Sequence, residues 1–369
     1  MKDFPPIRSL KSAVVGTLAV SVPLLLLSAS PLTGVYAVMF IFYLLPTALC
    51  LTAAVCGALP MAVNACAALF SLYRLAGVVG LMLGALYIVP LAAAFLLLIR
   101  FRVSFWKACG GMILTHLITL AGVLAILQGL TDGSVYQAAG EKVREWLENW
   151  ELGDFMLYQF HAMGVLALPE SLEEQAAETT FGIALSDAAR QDLLLSAQTL
   201  VEVMLQSLVP SAVIQQSILG GVACLLVPIR FGCISAEIRS FRGPEGKEKE
   251  TFPDLGMPTL DKWYIPRGIG WKVGVAYVGG SLLRSLAATV PVAMAGVILY
   301  SAAWAAFTVQ GAALLNHMQK AKGSARFWRV VVPILLLVLG VLPYLGIFDQ
   351  IVNIRGLRRP SETKEDNEL

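Results

Sequence analysis

Charged residues are scarce in this chain. Lysine and arginine number 27 and aspartate and glutamate 25, so only 14% of the 369 residues are charged, against about 25% in an ordinary soluble domain. Hydrophobic residues make up 57%, more than a water-soluble fold of this size can hide, which excludes a soluble protein. A net charge of +2, spread over short loops, offers no basic face, so nucleic acid is not an expected partner. The six cysteines (Cys50, Cys56, Cys66, Cys109, Cys224, Cys233) include no C-x-x-C pair. Each reads as a small buried packing residue, with neither a metal nor a disulfide role. Also absent are H-E-x-x-H, the G-x-x-x-x-G-K-[ST] phosphate loop, the G-x-S-x-G elbow and paired intramembrane aspartates. The run GPEGKEKE (243–250) has the wrong spacing for a phosphate loop and no apolar strand leading into it. No catalytic constellation, metal site or cofactor is therefore expected, and an enzyme is disfavoured.

What the chain does have is long apolar runs. A helix needs about 20 apolar residues to cross about 30 Å of hydrocarbon, because lipid offers no partners to an open backbone. Nine segments qualify or nearly do: 12–30, 35–57, 59–73, 75–99, 108–130, 207–229, 268–287, 290–316 and 328–348. The first follows Lys2, Arg8 and Lys11 and so resembles a secretory signal, but Pro31 stands after the small residues and a second apolar run follows at once. It reads as an uncleaved first span. The third segment is short and starts at Pro60; the ninth contains Pro333, Gly340, Pro343 and Gly346. Either is a candidate for a broken or re-entrant span.

Lysine and arginine are retained on the cytoplasmic side in short loops. With the amino terminus inside, the inward loops hold Arg100, Arg102, Lys107, the cluster over 230–272, Lys320, Lys322, Arg326 and Arg329. Outward segments hold only Arg74, Lys142, Arg144 and Arg190. Nine crossings place Arg355, Arg358 and Arg359 outside, against the same rule, so eight spans with an internal carboxy terminus are favoured. The expected architecture is an all-α polytopic transmembrane helical bundle of eight or nine spans with an exported helical insertion. It divides into a five-span block (1–130), an exported amphipathic loop (131–206), carboxy-terminal spans (207–348) enclosing a cytoplasmic loop (231–267), and a polar tail (349–369).

The exported stretch carries 13 acidic against 3 basic residues. Val143, Trp146, Leu147 and Trp150 share one helical face, the pattern of a helix lying at the lipid–water boundary. Ser171 with Glu174 forms a capping box, and Ser186 caps a helix running through Asp192 to Gln206 and on into the next span. The loop reads as a passive solvated cap or as a lid over an outward-facing cavity. In the inner loop, the mixed charges of 243–250 predict a flexible hairpin. Its flanks look ordered: Trp263 and Tyr264 suit the membrane interface, and the prolines stiffen extended chain. A docking surface for a cytoplasmic partner is the functional reading of those flanks.

Polar groups in hydrocarbon are costly, so each is a candidate functional residue. Arg284 either snorkels to the outer interface or points into a polar cavity as a partner for an anion. His116, with Thr115 and Thr119 nearby, reads first as a hydrogen-bonded packing histidine and second as a proton relay or ligand contact. Asn64, Gln215, Gln216, Gln310 and Asn316 are neutral amides within spans, and at least one pair is expected to share an interior cavity. Asp349, six residues before Arg355, reads as an interfacial ion pair or a helix-end charge. Gly270 and Gly274 form a G-x-x-x-G that permits close helix approach.

The order of motifs carries a resemblance. FYLLPTALC stands in the second span and RVSFWKACGG opens the fifth; LVPSAVIQQSILGGVACLLVPIRFG follows the exported region, then KWYIPRG, VQGAALLNH and YLGIFDQIVNIRGLRR. In this layout the chain resembles, over nearly its whole length, the YybS-like family of predicted bacterial membrane proteins, defined by a domain of unknown function. The residues carrying it are chiefly Trp263 with Pro266, Gln310 with Gly311, and Asp349 with Arg355; where the family tends to an aromatic before the terminal arginine, this chain has Ile354. The resemblance implies a bacterial cytoplasmic membrane location and transfers no activity. The amino-terminal helices are also similar in layout to the substrate-binding subunits of energy-coupling-factor vitamin transporters, an analogy of fold. Two functions are expected from different classes. One is a transport-related membrane subunit that binds a small solute among its helices and docks an energising partner; the other is a structural or regulatory scaffold for a protein complex.

Overall fold

The computed structural model describes residues 10–29, 40–131, 133–166, 176–179, 182–242, 253, 255–257, 259–286, 289–323, 332–333, 335–336 and 339–357. Almost all of them are helical. In chain order the helices are α1 (Leu10–Leu27), α2 (Leu45–Cys56), α3 (Ala58–Arg100), α4 (Phe105–Leu130), α5 (Val135–Asn149), α6 (Gly153–Ala162), α7 (Asp187–Arg242), α8 (Arg267–Leu286), α9 (Val290–Ala321) and α10 (Leu342–Val352). A short antiparallel hairpin, β1 (Ala176–Thr179) and β2 (Gly182–Leu185), pairs Ala176 with Leu185 and Thr179 with Gly182. It is an addition to the all-helical expectation. The chain forms two compact units, residues 1–123 with 212–369 and residues 124–211, and the two boundaries fall within α4 and α7.

Four helices, α3, α4, α7 and α9, contain stretches long and apolar enough to cross a membrane, and α1, α2 and α10 include shorter apolar helices. Large side chains such as Leu26, Met82, Ile118 and Trp271 are more than 60% exposed. Helices this apolar, with such residues outermost, suggest a membrane location, where acyl chains cover what water would not. The segment 268–287 lies in α8, which is not among the four.

The expected segments 59–73 and 75–99 are the two arms of α3. Ala76 (φ −136°, ψ 18°) and Gly77 (φ 61°, ψ −147°) leave helical geometry between them. A straight helix would put Leu69 and Gly84 about 22 Å apart, yet a Cβ on Gly84 would stand 3.1 Å from Leu69 Cδ2. The arms therefore fold back on each other. At φ 61° with ψ −147° a side chain would be strained, a combination glycine reaches freely, and Gly77 supplies the reversal. The ninth segment is also broken: Gly340 has φ 67°, and α10 restarts with Pro343 in its first turn. Asn353 ends α10 in the left-handed conformation (φ 54°), donating its N–H to the Asp349 carbonyl at 2.8 Å.

α9 and α10 touch backbone to backbone. A Cβ on Gly311 would collide with the Leu342 carbonyl oxygen, and one on Gly346 with the Phe307 carbonyl oxygen. Gly311→Ala should cost about 1–3 kcal/mol, the range for overpacking a filled contact, read as an earlier unfolding transition in mixed micelles. The predicted G-x-x-x-G makes no such crossing, since Gly274 faces open space and Gly270 faces the Gln350 side chain.

The unit 124–211 has a core of its own. Leu147, Leu157, Leu193, Leu194 and Ala197 are buried together, with Val143 and Trp150 packed on them. The face expected to lie on lipid is thus spent on protein, and of its four residues only Trp146 is exposed, at 56%. Ser186 accepts from the Ala189 N–H at 3.2 Å, the predicted cap. Arg190 clamps the unit, donating to Asp154 at 2.7 Å and to the Glu148 carbonyl at 2.9 Å. The capping box at Ser171 and Glu174 and the run 243–250 lie outside the described residues.

Candidate functional site

A buried polar network starts from a proline. Pro46 has no N–H to offer the carbonyl of Phe42, four residues earlier, so that oxygen is free to accept from elsewhere. Tyr87 on α3 donates its hydroxyl to it at 2.8 Å, and Gln216 on α7 donates its amide at 3.1 Å. The Tyr87 ring lies against Phe42 and meets His116 edge to face, with centroids 5.0 and 6.0 Å away. His116 on α4 is fully buried, and its Nδ1 sits 3.3 Å from the Met112 carbonyl. Among the described residues its Nε2 makes no hydrogen bond of good geometry, although the Cys224 thiol on α7 stands within interaction range of the imidazole. Thr47 on α2 contacts Cys224 Sγ at 3.6 Å.

A second network joins α9, α10 and the segment before α8. The left-handed turn at Asn353 reverses the chain, so that Arg355 returns to Asp349, donating to Oδ2 from Nε at 3.2 Å and from an Nη at 2.7 Å. Both side chains are 1% exposed. Gln310 adds a third donor to the same oxygen at 3.0 Å, gives its other N–H to Gln350 at 2.9 Å and accepts from the Ile265 N–H at 3.3 Å. Arg355 also donates to the Asp261 carbonyl at 2.9 Å. Asp349 Oδ1 is buried and has no partner among the described residues. Asp261 meets Lys320 at 3.1 Å. Burial raises its carboxyl, but the bonds from Lys320, its own backbone N–H and Thr259, with the Lys320 charge, hold it below the usual carboxylate value.

The segment pinned by these bonds roofs an apolar recess of about 530 Å³, within the usual size for small-ligand sites. Its walls include Trp106, Ile218, Trp263, Ile269, Val309 and Gln310. Trp263 is 4% exposed and contacts Phe105 and Trp106, each at 5.3 Å between centroids. It is thus buried in protein, where the sequence placed it at the interface. Just beside it, the Leu255 carbonyl accepts from the Phe105 N–H at 2.9 Å, occupying one of the open donors at the start of α4. A second recess of about 420 Å³ is lined by Gly270, Tyr277, Phe307 and Gln350. The hydrogen-bonded amides Gln310 and Gln350 therefore have one member in each recess.

The seven predicted residues do not converge on one cavity. Asn64 is fully buried elsewhere, accepting from Ser21 at 2.6 Å and donating to the Gly16 carbonyl at 3.1 Å, which ties α1 to α3. His116 and Gln216 are brought together: both face Gly220, which leaves room for their side chains. Gln215 is half-buried on the same helix. Gln310 holds the second network, while Asn316 is half-buried further along α9. Arg284 is exposed at the end of α8 with its guanidinium 5.1 Å from the Tyr300 ring centroid, a cation–π contact and not an anion site in a cavity. Sequence reasoning missed Tyr87, Cys50, Cys224, Asp261 and Trp106. The only local signal was Pro46, which frees a carbonyl four residues back without naming its donors. Among the described residues, no group of three His, Cys, Asp or Glu is placed to hold a metal ion.

No protein-family description matches this chain, and neither a curated protein nor a solved structure shows significant similarity to it.

Proposed function

We propose that this is a multi-pass membrane protein that binds an uncharged, largely apolar small molecule in the recess between Trp106, Trp263 and Gln310, as a transport-related subunit. The observation that carries the reading is the chemistry of the wall. Among the described residues that line it, Gln310 is the one amide, none is charged, and the Gln310 N–H groups are already given to Asp349 and Gln350. A charged solute entering there would lose its hydration with nothing to replace it. The YybS-like resemblance supports a bacterial cell-membrane location, and the layout shared with energy-coupling-factor substrate-binding subunits supports solute binding. The basic loops support eight or nine spans with the amino terminus inside and the stretch 131–206 outside. The reading as a scaffold draws on one feature: residues 124–211 carry their own core and ion pair, as a docking module would.

Purification into lipid discs, followed by native mass spectrometry and extraction, tests this reading. The wild-type chain should retain a stoichiometric apolar molecule that Ala306→Trp, which fills the recess, releases while the fold persists. Equal content in both proteins, or an empty wild type that co-purifies with a stoichiometric protein partner, would favour the scaffold.

A further inference from the structure

Three buried groups play no part in that recess: Cys50, Cys224 and His116. Thr47 and Cys50 lie three residues apart on α2 and so share a face; Thr47 contacts Cys224 Sγ at 3.6 Å, and the Cys50 thiol stands within interaction range of the Cys224 thiol. Thr47 thus places Cys224 against the face of α2 that also bears Cys50, one turn on, and on α7 Gly220 stands one turn before Cys224. A Cβ there would lie 3.2 Å from His116 Nε2, so the missing side chain lets the imidazole reach this stretch of helix. The imidazole nitrogen without a well-formed hydrogen bond thus faces the helix that bears Cys224, whose thiol it approaches. Both cysteines are at most 1% exposed. Only a small neutral oxidant enters such a place, and hydrogen peroxide is of that class.

We propose that Cys50 and Cys224 form a redox-active dithiol, with His116 as the proton acceptor, and that hydrogen peroxide oxidises it to a disulfide joining α2 to α7. The thiolate, not the thiol, is the nucleophile. His116 Nε2 takes the Cys224 proton, and the thiolate attacks one peroxide oxygen. An S–O bond forms, the O–O bond breaks, and the hydroxide released recovers the proton from the imidazolium as water. The Cys50 sulfur then attacks the Cys224 sulfenic sulfur; an S–S bond forms, and the hydroxyl leaves with the Cys50 proton as a second water. Two thiols and one peroxide become one disulfide and two waters, with two electrons passing from sulfur to oxygen. The link fixes α2 just after the Phe42 carbonyl that accepts from Tyr87 and Gln216, so oxidation state is coupled to those two bonds.

The test uses the full chain in lipid discs, treated with hydrogen peroxide, alkylated after denaturation and mapped by peptide mass spectrometry. The expected result is a peptide pair linked through Cys50 and Cys224, reversed by a phosphine reductant, with buried Cys109 still reduced. Cys50→Ser and Cys224→Ser should each abolish the link. His116→Gln should slow its formation at least about tenfold with little change in final yield, since proton acceptance is a rate effect. Oxidation confined to exposed Cys66, with Cys50 and Cys224 fully alkylated, would overturn the proposal in the wild-type protein, whatever the variants do. An unchanged rate in a folded His116→Gln chain would overturn the role of the histidine.

Discussion

Arg355→Met should lower stability by about 3–5 kcal/mol, the usual result of removing one partner from a buried ion pair. Among the described residues the guanidinium provides two of the three bonds to Asp349 Oδ2, and Oδ1 has no partner to begin with. Without Arg355 the carboxylate is left buried with the Gln310 amide alone. The loss has a second part, because Arg355 also holds the Asp261 carbonyl and with it the segment that roofs the recess. Unfolding followed by tryptophan fluorescence in mixed micelles reads the shift. The double variant Asp349→Leu with Arg355→Met should recover most of the loss, because an apolar pair leaves no uncompensated charge. A single-variant loss below about 1 kcal/mol, the ceiling for exposed pairs, would mean that solvent reaches the pair.

Trp263→Ala should be comparably damaging, at about 3–5 kcal/mol for truncating a buried aromatic. The indole fills the space between Phe105 and the roof segment, so its loss removes packing from the start of α4 as well as a wall of the recess. Trp106 makes the control. It touches the same ring but is 59% exposed, and Trp106→Ala should cost well under half as much. The same unfolding measurement, with limited proteolysis between residues 253 and 266, separates local release of the roof from global loss. If cleavage there is unchanged in Trp263→Ala, the indole is not what holds the segment down.

The two substitutions bracket what could be read in advance. Asp349 and Arg355 are six residues apart, and a helix end with one turn between them makes an ion pair legible from the sequence. That the pair is buried was not legible, because it depends on Gln310 and Asp261, 39 and 94 residues away from their partners. The interfacial character of Trp263 and the prolines around it are local properties, whereas its packing on Phe105 and Trp106 is not, because those residues lie in another segment. The seven polar candidates fared unevenly for the same reason. Their types and depth are local properties, and only His116 with Gln216 shared a place.

By itself the sequence determined the solvent and the local punctuation. Hydrophobic runs demand lipid or protein around them wherever they end up, Arg74 separates two apolar arms, and Ser186 starts a helix; each follows from a side chain and its near neighbours along the chain. Tertiary structure alone decided which helices meet. Hydropathy says that a face is apolar and not what it faces, so the Tyr87 and Gln216 bonds to Phe42, the thiols side by side and the Gly311–Gly346 crossing became visible only once distant segments were packed.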